Sequence, residues 1–412
     1  MNNNNHSNIV TRSDASTAIK KINIGLFGFG TVGKGLYDVL SRIQSERVCI
    51  KKVCVRHLER HPEAFVDITD QADDVFNHPD VNCIVELIDN EEDAYNIVRR
   101  ALRQGLPVVS GNKKMLAHHL PELIRLQEQY QTALLYDASA CGSIPVIRNL
   151  EEYYDNDLLL SVKGILNGSS NFILSKIFNE GMNYPDALRL AQQMGFAESD
   201  PTLDIGGWDS LYKLVILTMH AFGVYVSPDE VFTFGIQRMS PDDICFANEK
   251  RRRIKLVGTT AKVSDAELSL AVMPHLISRQ KYIYSVEDEF NGVVIKGLFY
   301  YKQFMFGQGA GGHPTGSAVL SDITARLYDY KYEYKKLHSD RHPVFTTDFS
   351  LRIYYRYVNE ADRALLQFEN IEESYTSATH SYLVGHVKMK ELVAKAPLVR
   401  QADVFLAAFP ED

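Results

Sequence analysis

Between Gly195 and Lys213 the chain reads Gly195-Phe-Ala-Glu198-Ser-Asp200-Pro-Thr-Leu-Asp204-Ile-Gly-Gly207-Trp-Asp209-Ser-Leu-Tyr-Lys213. Four acids and one lysine packed so densely, between an amphipathic and an apolar segment, are unlike a surface loop. If a helix begins near Gly207, Asp209 and Lys213 stand at i and i+4 on one face. The run from Leu214 to Val226 is mostly apolar and reads as a buried helix. An ammonium at the edge of such a helix, beside a carboxylate, can give a proton to an alkoxide oxygen. A plain i, i+4 salt bridge has the same spacing, and spacing alone favours it. A second cluster, Asn112-Lys113-Lys114, follows the extended run Pro107 to Ser110. Open α/β sheets bind ligands at such strand ends, although lysines there are also common surface residues.

Gly28-Phe-Gly30-Thr31-Val32-Gly33 follows a β-rich run from Lys21 to Phe27 and opens a helical pattern with Val32, Leu36, Val39 and Leu40 on one face. In that context the glycines have distinct tasks. Gly28 permits the tight turn, Gly30 clears the approach of a pyrophosphate, and Gly33 lets helix and strand close. The helix start at Thr31 and Val32 then offers free N–H groups and a partial positive charge to phosphates. A nicotinamide dinucleotide is the expected cofactor. The second strand ends Val53-Cys-Val-Arg56-His57, with Arg60 nearby and no acid before Glu59. Arg56 can pair with a 2′-phosphate, which favours NADP or dual use with NAD. An ordinary solvated strand-end charge is almost as good a reading of it.

These residues need a frame. Strands Lys21 to Phe27, Val48 to Val55, Cys83 to Ile88 and Pro107 to Ser110 alternate with helical patterns, one carrying Arg99, Arg100 and Arg103. That order predicts a Rossmann-type α/β domain with a parallel sheet over residues 21–144. Residues 145–306 read as an α+β catalytic and dimerisation domain: a strand Leu158 to Leu166, a helix Asn183 to Met194 stopped by Gly195, and strands Leu268 to Val272 and Gly292 to Leu298. A glycine-rich loop, Gly307 to Thr315, leads to a helix Ser317 to Leu327, so that 307–328 completes the first domain. Polar, Tyr-rich residues 329–347 read as a linker. The segment 346–412 reads strand Phe349 to Val358, helix Ala361 to Phe368, strands Ile371 to Ala378 and His380 to Val387, helix Met389 to Val399, strand Ala402 to Phe409. This is the βαββαβ order of ferredoxin-like folds.

Composition narrows the class. The 412 residues carry 44 basic and 52 acidic side chains, a net charge of −8, which disfavours a nucleic-acid partner. Five cysteines, an odd number without CxxC spacing, argue against a disulfide framework and for a reducing compartment, the cytoplasm. No apolar stretch is long enough to span a bilayer. Residues 1–20 read as a disordered leader.

Across residues 21 to 327 the chain resembles the homoserine dehydrogenases, which interconvert aspartate semialdehyde and homoserine in threonine, methionine and isoleucine biosynthesis. The matching strings are IGLFGFGTVGKGL, VELI, VVSGNKKMLA, GSIPVIRNL, GILNGSSNFIL, MGFAESDPTLDIGGWDSLYKL and GQGAGGHPTGSAVLSDI. The resemblance implies that Lys213 is the acid–base lysine and Asp209 its partner. It implies that Glu198 grips the substrate ammonium, with Asp204 and Gly195 in the same pocket. Lys113 matches a lysine near cofactor and substrate and is the rival proton carrier. Gly309 and Gly311 match a late loop that returns to the cofactor. Asp137, Ala140, Gly142 and Ile144 match a loop that binds a monovalent cation such as sodium, where the family's usual acid is Glu. Aspartate semialdehyde is the implied small-molecule partner, with self-association through the middle domain.

The chain also departs from that pattern. Asp89-Asn90 replaces a glycine pair after VELI, and Ser110-Gly111 precedes the lysine cluster in place of Thr-Ala. The tail resembles a divergent ACT domain that lacks its Pro-Gly-Val-Leu turn, with Asn359-Glu-Ala-Asp362 instead. Threonine feedback and a structural or dimerising role both remain open for it. No kinase segment precedes the first domain, which suggests a monofunctional chain. Two rival readings stand beside the dehydrogenase: a thioester-forming aldehyde dehydrogenase using Cys141, and a non-catalytic dinucleotide or amino-acid sensor on the same scaffold.

Overall fold

The computed structural model describes residues 20–61, 66–154 and 158–410. Apart from Lys20, the leader expected over 1–20 lies outside the described residues. The first sheet is built from β1 (Ile22–Phe27), β2 (Val48–Cys54), β3 (Ile68–Thr69), β4 (Cys83–Glu86), β5 (Val108–Ser110) and β6 (Leu134–Leu135), in the order β3-β2-β1-β4-β5-β6. Every pairing is parallel. Helices α1 (Thr31–Ile43), α2 (Ala72–Phe76), α3 (Glu91–Arg103) and α4 (Lys113–Gln129) make the crossovers. All four residues of β4 are buried, as a strand covered on both faces requires. The order reverses between β1 and β4, so a crevice opens at their carboxyl ends. Side chains cap two of the helices there: Asn90 Oδ1 accepts from the Asp93 N–H to start α3, and Asn112 Oδ1 accepts from the Met115 N–H to start α4.

The next stretch carries α5 (Ala138–Cys141), α6 (Val146–Glu152), β7 (Leu159–Ile165), α7 (Gly168–Glu180), α8 (Tyr184–Gln193), α9 (Thr202–Ile205) and α10 (Trp208–Phe222). It continues with β8 (Phe232–Thr233), α11 (Pro241–Glu249), β9 (Arg252–Ser264), β10 (Glu267–Ser278), β11 (Phe290–Gly297), β12 (Tyr301–Gln308) and α12 (Gly312–Ala325). The sheet here runs β12-β11-β7-β9-β10, antiparallel throughout. Asn183 caps α8 as its sequence suggests, and Gly195, at φ +76°, follows its end. Helix α10 is buried from Asp209 to Phe222. Helix α12 starts at Gly312, five residues earlier than its pattern suggests, because it lies against α1 where only glycine fits. A Cβ on Gly35 would come within 2.1 Å of the Gly312 oxygen.

The tail comprises β13 (Val344–Phe345), β14 (Ser350–Tyr357), α13 (Glu360–Arg363), β15 (Phe368–Thr376), β16 (Ser381–Lys388), α14 (Met389–Gln401) and β17 (Phe405–Ala408). Its strands order as β17-β14-β16-β15, the ferredoxin-like arrangement. Strand β17 also pairs with β10 at His275 and Ala408, so the tail extends the second sheet to eleven strands. Two expectations fail here. The helix expected from Ala361 to Phe368 is one turn, because Asn359 caps Glu360–Arg363 and Phe368 is already in a strand. The linker expected over 329–347 is packed: Tyr332 and Tyr334 are buried beside Tyr136 and His220, and Val344 and Phe345 pair with β10.

Candidate active site

The acid-and-lysine string folds into a buried ion cluster. Lys213 and Asp209 face one another on α10, Nζ to Oδ2 at 2.8 Å. The other carboxylate oxygen, Oδ1, meets Nζ of Lys113 from α4 at 2.9 Å. One carboxylate thus bridges two ammoniums carried by different parts of the chain. Asp209 is 5% exposed and Lys213 6%, whereas the Lys113 side chain is 42% exposed and open toward solvent. Burial would raise the Asp209 carboxyl, but the Lys113 and Lys213 charges outweigh it and hold it well below the usual carboxylate range. The Asp209 carboxylate likewise raises Lys113.

Asn167 completes the cluster. Its Nδ2 donates to Asp209 Oδ2 at 2.9 Å and to Asp204 Oδ1 at 2.7 Å, while its Oδ1 caps α7. Burial, and then the Asp209 charge, push Asp204 upward. Lys213 Nζ donates to the Leu166 carbonyl at 2.7 Å. An ammonium has three hydrogens; two are used among the described residues, which leaves one for a substrate oxygen. Asn167 and the Leu166 carbonyl were not singled out from the sequence. The signal available for Asn167 was its place in the string GILNGSSNFIL, directly before a helix.

Glu198 is exposed on the segment between α8 and α9 and does not join the cluster. Its own carbonyl accepts from Gln192 Nε2 at 3.1 Å, and the neighbouring Phe196 carbonyl accepts from Ser169, so the segment is fastened beside the start of α7. Its carboxylate has no ion-pair partner among the described residues. Gly195 lies at the start of the same segment and serves as the stop of α8.

The glycine turn lines a cleft of about 620 Å³ with Phe27, Arg56, Arg60, Asp70, Ile88 and Asp89 among its walls. A Cβ on Gly28 would sit 2.6 Å from the Leu87 oxygen, and one on Gly33 2.4 Å from the Gly28 oxygen. A Cβ on Gly30 would meet nothing within 4 Å, since that position faces the open cleft. The start of α1 has no side-chain cap, which leaves its first N–H groups, from Thr31 and Val32 onward, available to phosphate. The residues present therefore fit a dinucleotide. Arg56 is exposed and paired with Asp93 at 2.7 Å, while Arg60 lines the same cleft with no ion-pair partner among the described residues. Asn90, where the resemblance implied glycine, is the cap of α3. Gly312 approaches α1 at Thr31 and Gly35, a Cβ on Gly311 would meet only Pro314, and neither lines this cleft; Gly309 packs on Asn291 and Gly142.

The candidate cation loop is engaged within the fold. Asp137 Oδ1 accepts from the Arg148 N–H at 3.1 Å, its own N–H donates to Asp322, and the Ile144 carbonyl accepts from the Val146 N–H at 2.8 Å. Burial drives the Asp137 carboxyl upward. Ala140 is buried in α5, and Gly142, at φ +55°, lies against Gln308 and Gly309. No group of three or more His, Cys, Asp or Glu among the described residues could hold a metal. Cys141 is buried, and burial pushes its thiol up to about 12, the opposite of an activated nucleophile.

A dinucleotide cleft at a sheet's switch point, beside a buried carboxylate bridging two lysines, defines an NAD(P)-dependent oxidoreductase. Residues 28–137 match the family model described as the NAD binding domain of homoserine dehydrogenase, and 145–324 match the model for homoserine dehydrogenase itself. A homoserine dehydrogenase of Helicobacter pylori is 36% identical over 311 residues, covering 74% of this chain and 73% of its own. One from Bacillus subtilis is 30% identical over 406 residues, 93% of each chain. The crystal structure of a homoserine dehydrogenase from Thiobacillus denitrificans superposes with a TM-score of 0.82 at 28% identity, over 95% of this chain and 99% of that one. The chain belongs to the homoserine dehydrogenase family. It catalyses the NAD(P)H-dependent reduction of aspartate semialdehyde to homoserine, and the sensor reading is set aside.

Proposed function

We propose that Lys213 delivers the proton to the substrate oxygen, with Asp209 aiming it. The single observation that supports this is the bridging geometry: Asp209 fixes both lysines, and Lys213 keeps one N–H unused among the described residues. When bound, the nicotinamide supplies the hydride. Lys213 then meets the alkoxide that forms, and Lys113, more open to solvent, attracts the substrate carboxylate or returns the proton. Glu198 offers its unpaired carboxylate to the substrate ammonium, and Asp204, with Gly195 shaping the approach, lines the pocket. The glycine turn, Thr31 and Val32 hold the pyrophosphate. Arg56 and Arg60 together read a 2′-phosphate, which favours NADP over NAD.

Residues 21–144 with 307–328 form the nucleotide-binding part, 145–306 the catalytic part and 346–412 an ACT-like module. No chemical step is assigned to a monovalent cation; one held by the carbonyls of Ala140 and Gly142 would brace that loop against Gly309. Apolar side chains exposed at Leu298, Phe299, Tyr301 and Phe306 support a homo-oligomer through β12. All five thiols are free and no described helix is long and apolar enough to cross a membrane, which supports a cytoplasmic site.

The test compares Lys213→Ala and Lys113→Ala in steady state with aspartate semialdehyde. Lys213→Ala should lower kcat by roughly two to four orders of magnitude with NADPH binding near normal. Wild-type kcat in that variant would remove Lys213 from its role.

A further inference from the structure

The loop that lines the dinucleotide cleft and the helix start that carries Lys113 are tied together by one buried carboxylate. Glu86, the last residue of β4, is fully buried. Its Oε1 accepts from the Ile88 N–H at 2.7 Å, on the loop that lines the dinucleotide cleft. Its Oε2 accepts from Ser110 Oγ at 2.6 Å, at the end of β5. Ser110 Oγ in turn accepts from the Asn112 N–H, and Asn112 Nδ2 donates to the Ile88 carbonyl at 3.0 Å. The next residue is Lys113, whose Nζ reaches Asp209. The Leu87 carbonyl abuts Gly28, so the same knot also touches the glycine turn.

We infer that Glu86 is a positioning residue for the reaction: it locks the cleft loop Leu87–Asp89 to the start of α4, fixing the cofactor's seat relative to Lys113. A buried carboxylate costs several kcal/mol unless its oxygens are satisfied, and Glu86 meets that condition only by bridging these two segments. The inference rests on Lys113 facing substrate and cofactor. Should Lys113→Ala keep full activity, that reading fails first; should Lys113 prove necessary while Glu86 proves indifferent, only this inference fails.

The experiment compares Glu86→Gln and Glu86→Ala with wild type by kcat, KM for NADPH, and their pH profiles. Gln keeps an oxygen for Ile88 but loses the acceptor for the Ser110 hydroxyl, as the protonated acid does, so it should fold and turn over while holding a raised KM for NADPH at every pH. Ala releases both segments and should lower kcat at least tenfold and raise KM for NADPH. Burial pushes the Glu86 carboxyl up to about 7, opposed by its hydrogen bonds from Ser110 and Ile88 and aided by Asp89 in the same loop. Its paired neighbours on β1 and β5, Phe27 and Ser110, carry no charge. The ionised form accepts both bonds, so KM for NADPH in wild type should rise as pH falls through that value, and Glu86→Gln should lack this limb. A purely structural Glu86 would move melting temperature but not the limb. A Glu86→Gln profile identical to wild type overturns the inference, whether or not Glu86→Ala folds, and so does a Glu86→Ala kcat within twofold of wild type.

Discussion

Lys113 meets Asp209 at 2.9 Å, the first residue of a helix under the parallel sheet touching the second residue of the helix that carries Lys213. This contact turns an i, i+4 pair into a three-charge unit spanning cofactor and substrate parts. An exposed pair of that spacing is worth at most about 1 kcal/mol. Breaking a buried one by removing a single partner costs roughly 3–5 kcal/mol, since it strands a charge.

Asp209→Asn keeps the shape and removes the charge. It should leave the fold intact, lower kcat by roughly a hundredfold or more and leave KM for NADPH within a few-fold. Asp209→Ala should in addition lower stability by roughly 3–5 kcal/mol in urea titration. A fully active Asp209→Asn would show that the bridge is structural only.

The coenzyme preference is separable by two arginines. Arg56→Ala and Arg60→Ala should each raise KM for NADPH more than for NADH, by roughly tenfold for a lost charged contact of about 1.4 kcal/mol. Because Arg56 already pairs with Asp93, the larger effect is expected at Arg60. Equal losses with both coenzymes would mean that neither reads the 2′-phosphate.

The close approach of α1 and α12 depends on Gly35. Gly35→Ala drives its Cβ to 2.1 Å from the Gly312 oxygen, a backbone atom that cannot swing away. A loss of roughly 1–3 kcal/mol is expected from overpacking. Differential scanning calorimetry reads it, and an unchanged melting temperature would contradict the packing described.

The joint between tail and catalytic sheet should be acid-sensitive. His275 on β10 pairs with Ala408, and burial lowers its imidazole from 6.5 to about 4. The unfolded chain takes up that proton first, so stability present above pH 6.5 is lost as pH falls toward 4, on the order of 3 kcal/mol in total. His275→Gln should flatten the melting temperature over that interval. An equal acid slope in the variant would locate the effect elsewhere.

Periodicity and motif alone determined much of this protein. The glycine turn between strand and helix, the parallel βαβ order, the cap at Asn183 and the stop at Gly195 are local, because backbone preference and hydrophobic spacing act over a few residues. The pairing of Asp209 with Lys213 was local too, but its weight was not: spacing could not tell a solvated bridge from a buried one. Only tertiary structure brought Lys113 and Asn167 to the same carboxylate, placed Arg56 against Asp93, and left Glu198 outside the ion cluster. It buried Tyr332 and Tyr334 in a stretch whose polar neighbours suggest a linker, and it moved the start of α12 to Gly312. Each of these depends on which surfaces meet across long chain separations, where desolvation and close packing override local composition.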